Sequence, residues 1–131
     1  MYNNTICWST RKQSTVADSS TYAEYIALYE ASKEAIWLKQ LSESIRIKID
    51  KPIKIHEDNA SCKTIAENYS SYKKSKHFDI KYHLSRQEVQ KRTIQIEKIS
   101  TDVQIADILT KSLPTAKFVK LRNGLNLESC D

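Results

Sequence analysis

Apolar positions recur along the chain with two different periods, and the switches between them divide it into elements. Residues 2–10 (YNNTICWST) hold Thr5, Ile6, Cys7 and Trp8, which suit a pleated surface and predict a strand near 3–9. After the polar stretch from Arg11 to Ser20, Ala27, Leu28, Ala31, Ala35, Leu38 and Ile45 return at helical spacing. Tyr25, Ile36, Trp37 and Leu41 widen that stripe, so a long helix is expected over 21–45, with cover needed on more than one side. Pro52 breaks the pattern. Residues 53–57 (IKIHE) alternate like a strand, and a helix near 59–68 follows, capped by Asp58 or Asn59. A helix from Lys76 to Lys91 is expected with Phe78, Tyr82 and Val89 on one face. Alternation returns at 93–99 (TIQIEKI). A helix from Thr101 or Asp102 to Lys111 comes next, then a last one from Pro114 with Phe118, Leu121 and Leu125 inward and Gly124 as its stop.

Strands alternating with helices point to an α/β fold in which 53–57 and 93–99 are parallel neighbours. One glycine and two prolines in 131 residues leave few turn formers, consistent with a mainly helical chain. No apolar run approaches the ~18 residues of a membrane span, and the N-terminus lacks the apolar core of a signal peptide. An intracellular, unsecreted protein is expected. Cys7, Cys62 and Cys130 form no CxxC pair, so free thiols are expected and neither a zinc ribbon nor a disulfide framework.

Three acidic residues occupy positions that call for a reason. Glu24 lies on the stripe of Ala27, Leu28 and Ala31; it is either a functional carboxylate or the far end of a capping box opened by Thr21. Asp58 closes a strand and opens a helix, where an open α/β sheet keeps its functional crevice, but where an N-cap aspartate also belongs. Asp107 follows the last strand and has Lys111 as an i,i+4 partner. Carboxylates converging at one end of a parallel sheet would suit hard cations such as Mg²⁺ or Mn²⁺.

The formal charge of +5 fits an anionic partner. Much of it lies around the third helix, in Lys73, Lys74, Lys76, Lys81, Arg86, Lys91 and Arg92, with Tyr69 and Tyr72 beside the lysines. That segment is either a solvated face or a phosphate-tracking patch with stacking side chains. His77 and His83 are too far apart for a helical zinc pair; His83 with Asp79 is a simple i,i+4 pair.

Five motifs in order carry a resemblance. Cys7-Trp8-Ser9-Thr10-Arg11-Lys12-Gln13, Val16 to Leu28 (VADSSTYAEYIAL), Glu57-Asp58-Asn59, Lys76 to His83 (KHFDIKYH) and Gln104 to Pro114 (QIADILTKSLP) resemble the ribonuclease H domain at the end of copia-type (Ty1/copia) retrotransposon Pol polyproteins. The likeness is nearly colinear from Thr5 to Leu127. It implies an α/β, RNase H-like mixed sheet with flanking helices, occupying 1–127 with 128–131 as a tail. It further implies cleavage of the RNA strand of RNA–DNA hybrids with two Mg²⁺ or Mn²⁺ ions, alongside the reverse transcriptase portion of the same polyprotein, in cytoplasmic virus-like particles or the nucleus. By motif, Glu24, Asp58 and Asp107 would be the catalytic, metal-binding carboxylates, and Lys73, Lys74, Lys76, Lys81 and Arg86 would meet nucleic acid. The family's first aspartate stands on a first strand upstream of anything matched by this chain, so the first two strands are expected to be missing and the isolated chain to be inactive. Tyr22 replaces a glutamate of the family motif. The competing expectations are a non-catalytic or domesticated remnant that binds nucleic acid or protein, and an unrelated helical interaction protein.

Overall fold

The computed structural model describes residues 5–10, 20–67 and 76–126; for 65–67 and 76–82 only the backbone is described. The described elements are α1 (Ser20–Ser44), β1 (Ile53–Glu57), α2 (Ala60–Glu67), α3 (Lys76–Gln90), β2 (Ile94–Lys98), two 3₁₀ stretches (Thr101–Val103 and Ile105–Leu109) and α4 (Thr115–Gly124). The chain divides into two compact units, 15–98 and the combination of 1–14 with 99–131.

The larger unit is α/β. β1 and β2 form a parallel two-stranded sheet in the register Ile53 to Ile94 through Glu57 to Lys98, as their alternation predicts. The parallel pairing follows from the connection: α2 and α3 lie between the strands and carry the chain back to the starting edge. Ile94 and Ile96 are buried while Gln95 is exposed, so one face of β2 is apolar. Tyr25, Leu28, Cys62 and Ile96 make the core, with Ile55 and Val89 packed against them. Ser32, fully buried on α1, donates to the Leu28 carbonyl at 2.8 Å. That bond satisfies a hydroxyl that would otherwise be costly inside.

The smaller unit holds the 3₁₀ stretches and α4. A continuous helix is not formed over 101–111, contrary to expectation. Ser100 Oγ accepts from Asp102 N–H, and Gln104 takes an extended conformation that interrupts the run. Most of the bonds that form are i→i+3, from Val103 to Ser100, Asp107 to Gln104 and Thr110 to Asp107, with a single i→i+4 bond from Lys111 to Asp107. Gly124 is the last residue of α4 and not its stop; the left-handed conformation falls on Asn126, at φ 52°. Gly124 serves close packing instead, because a Cβ there would sit 3.1 Å from Ile105 Cδ1. Leu121 is buried but Phe118 is 42% exposed, so the inward face of α4 is narrower than expected. The strand expected near 3–9 is also absent over the described residues 5–10. Thr5 instead gives its N–H and its hydroxyl to the Leu125 carbonyl, at 3.4 and 2.9 Å.

Candidate functional site

At the carboxyl end of β1 the chain turns through Glu57, Asp58 and Asn59 into α2. Asn59 organises the turn. Its Oδ1 accepts from the N–H of Ser61 at 2.8 Å and of Cys62 at 3.4 Å, which makes Asn59 the N-cap of α2. Asp58, the other candidate cap, is thereby released from that role and stays half-buried. The Asn59 N–H donates to Glu57 Oε1 at 3.0 Å, and its side-chain amide Nδ2 donates across to Glu24 Oε2 on α1. The Glu24 carboxylate therefore faces the strand end instead of curling back to Thr21.

Glu24, Glu57 and Asp58 thus share one locality. Glu57 is only 7% exposed. Burial raises its pKa above the ordinary carboxylate value, the negative charges of Glu24 and Asp58 push the same way, and the Asn59 N–H partly offsets them. Burial likewise pushes the Cys62 thiol up, reinforced by the adjacent Glu57. Cys62 is an apolar filler with a weak donor, not a nucleophile. Sequence reasoning assigned Glu57 no role; the signal was the acidic residue preceding Asp58 on a strand whose alternation sends successive side chains to opposite faces.

Asp107 belongs to the smaller unit. It is 4% exposed, and its Oδ1 pairs with Lys111 Nζ at 2.8 Å, the expected i,i+4 pair. Its Oδ2 makes no hydrogen bond and has Lys117 Nζ at 3.7 Å. Two lysine ammonium groups thus balance the charge of this buried carboxylate. Among the described residues no three His, Cys, Asp or Glu side chains come together in an arrangement that would hold a metal.

Of the basic residues, Lys73 and Lys74 lie outside the described residues. Lys76, Lys81 and Arg86 are on α3, where only the backbone of the first two is described and Arg86 is half-buried. Cys7 and Cys62 are free thiols, and Cys130 lies outside the described residues. Among the described residues, no helix is long and apolar enough to cross a membrane.

Proteins similar to this chain include three polyproteins. The chain is 37% identical over 124 residues to the retrovirus-related Pol polyprotein from transposon TNT 1-94 of Nicotiana tabacum, covering 95% of this chain and 9% of that protein. It is 35% and 34% identical over 113 residues to the corresponding polyproteins from transposons RE1 and RE2 of Arabidopsis thaliana, covering 86% of this chain and 8% of each. The homologues are Pol polyproteins of plant transposons, and the chain spans less than a tenth of their length. No family model matches the chain, and no solved structure does.

Proposed function

We propose that this chain is a C-terminal portion of a copia-type retrotransposon RNase H domain, acting on RNA–DNA hybrids during reverse transcription. The observation that carries the reading is the Asn59 side chain: one end caps α2 and the other holds Glu24 against the end of β1. Two carboxylates that the motif match makes functional, Glu24 and Asp58, are thereby gathered at the carboxyl end of a parallel strand. Their ordinary structural duties, a capping box and an N-cap, are not what these side chains do here. By the motif match, Asp107 would be the third ligand; in this structure its carboxylate is ion-paired with Lys111 and Lys117.

By the motif match alone, Glu24, Asp58 and Asp107 would be the residues that hold Mg²⁺ or Mn²⁺ in a complete domain, where the ions would supply an activated water and a neutralised leaving oxygen. The chain's own residues perform the positioning. Asn59 orients Glu24, and Asp58 follows directly on the end of β1. Lys73, Lys74, Lys76, Lys81 and Arg86 would bind the phosphates of the hybrid. The first aspartate of the family's site, which in related domains stands on a preceding strand, would complete the ligand set.

The test is degradation of an RNA–DNA hybrid. The 131 residues alone should give no measurable cleavage with either ion. Joined behind the segment that precedes the matched region in the tobacco polyprotein, they should cleave, and Asp58→Asn in that chimera should abolish cleavage. A folded chimera that never cleaves overturns the catalytic reading and leaves a nucleic-acid-binding remnant. Cleavage by the 131 residues alone, lost in Asp58→Asn, overturns the need for an upstream ligand.

A further inference from the structure

β1 keeps one kind of side chain on its inward face until its last residue. Ile53, Ile55 and Glu57 are two apart and therefore share a face. Ile55 packs against the core of Tyr25, Leu28, Cys62 and Ile96. Glu57 is the most buried residue of the strand, where the row calls for a third apolar side chain. The charges that act on it are those of Glu24 and Asp58, both negative. A carboxylate buried among like charges is costly unless hydrogen bonds compensate it. A natural chain breaks its own apolar pattern most often beside a functional site.

The compensation is a closed ring of hydrogen bonds. Glu57 Oε1 accepts the Asn59 N–H at 3.0 Å. Asn59 Oδ1 accepts the Cys62 N–H at 3.4 Å. The Cys62 thiol, fully buried, donates back to Glu57. Asn59 is thus held in the ring by its main chain and by its side-chain oxygen. Its remaining group, the Nδ2 amide, leaves the ring and donates to Glu24 Oε2 on α1. An amide whose anchor is already fixed gives up little freedom in making that bond.

We propose that Glu57 is a positioning residue of the candidate site: its carboxylate fixes the Asn59 main chain, and Asn59 in turn holds Glu24 at the end of β1 where Asp58 stands. The inference rests on the reading of Glu24 and Asp58 as the working carboxylates. The property that matters is the Glu57 acceptor oxygen and not its charge, so glutamine should replace it and an apolar side chain should not.

The bond between Asn59 and Glu24 can be read directly on the 131-residue chain, as exchange of the Asn59 side-chain amide protons with solvent in NMR. In the parent these protons should exchange more slowly than those of the exposed Asn123. Glu24→Ala marks the rate of the unbonded amide. Glu57→Met should speed exchange by about tenfold or more, the loss expected for a hydrogen bond to a charged acceptor, while Glu57→Gln should keep the parent rate. Glu57→Ala, which deletes the acceptor without needing to fit a longer side chain, serves if Glu57→Met does not fold. Unchanged exchange in the folded acceptor-less variant overturns the proposal and leaves Glu57 a residue of the turn. A rate in Glu57→Gln as fast as in Glu57→Met overturns it too, since charge would then be what counts. In the chimera with the tobacco segment, Glu57→Met should lower kcat by about tenfold or more with the KM for hybrid nearly unchanged, and Glu57→Gln should restore it. A cleaving chimera indifferent to Glu57→Met overturns the proposal. A parent chimera that never cleaves overturns the nuclease reading instead, and the amide exchange alone then decides whether Glu57 sets Glu24.

Discussion

A carboxylate costs least where something holds its charge, and Glu57 is placed where little does. It is buried beside Glu24 and Asp58, so its folded-state pKa lies above the ordinary value of 4.5. Between those two values the native state binds more protons than the unfolded state. Stability is therefore fuller at the acid side of that window and falls as pH rises through it. Glu57→Gln keeps an acceptor for the Asn59 N–H and removes the charge. Urea unfolding of the variant should show a shallower fall between about pH 4.5 and neutrality, and a higher midpoint than the parent at pH 7. A pH profile parallel to the parent's would mean that Glu57 carries no such penalty. Glu97 behaves oppositely: its hydrogen bond to Lys54 holds its carboxyl below the ordinary range.

Among the elements, the turn from β1 to α2 has the most consequence, because one residue there, through its backbone N–H and its side chain, joins three parts of the larger unit. Asn59→Ala removes the cap of α2 and the donor to Glu24 together, and should cost on the order of 1 kcal/mol from the cap alone. Asn59→Asp separates the two duties. Aspartate caps a helix as well as asparagine does, but it cannot donate to Glu24 and adds a fourth negative charge to the locality. If the cap were the only duty, Asn59→Asp would unfold with the parent in thermal melts; we expect it to be less stable than the parent at neutral pH and to recover at acid pH. Elsewhere at this scale, α1 shows how periodicity locates a helix without fixing its rotation. Ala27 and Ala31 read as core positions but are exposed, whereas Ser32 is buried. A helix apolar on several sides can present any of them, and packing against α2, α3 and the sheet selects one.

For the whole molecule, the proposed function requires binding to an anionic polymer. Lysines near the start of α3 supply a large part of the charge, and each phosphate contact releases counterions, which makes binding fall steeply with salt. Neutralising Lys73, Lys74 and Lys76 together should reduce the slope of log K against log salt by up to about three units in a fluorescence-anisotropy titration with RNA–DNA hybrid. An unchanged slope would show that this segment is a solvated face.

Local rules placed much of this protein from its sequence. The alternation of 53–57 and 93–99 locates both strands and their parallel pairing, and the bounds of α1 and α3 fall within a residue or two of their apolar spacing. The motifs around Glu24, Asp58 and Asp107 were visible for the same reason: they are contiguous in the chain. Tertiary structure decided what spacing leaves degenerate. Ile105, Ile108 and Leu109 suit an α-helix and a 3₁₀ turn alike, and the choice fell with the extended Gln104. Thr5 to Trp8 have strand composition but make no strand, since β-propensity is realised only against a neighbour. Asp58 and Asn59 are both good caps by composition; the free energy of a cap and of a bond to Glu24, 35 residues away in sequence, falls to the residue with both a donor and an acceptor on its side chain. A preference that depends on a partner distant in the chain has no local signature, and only the folded arrangement of α1 against β1 could settle it.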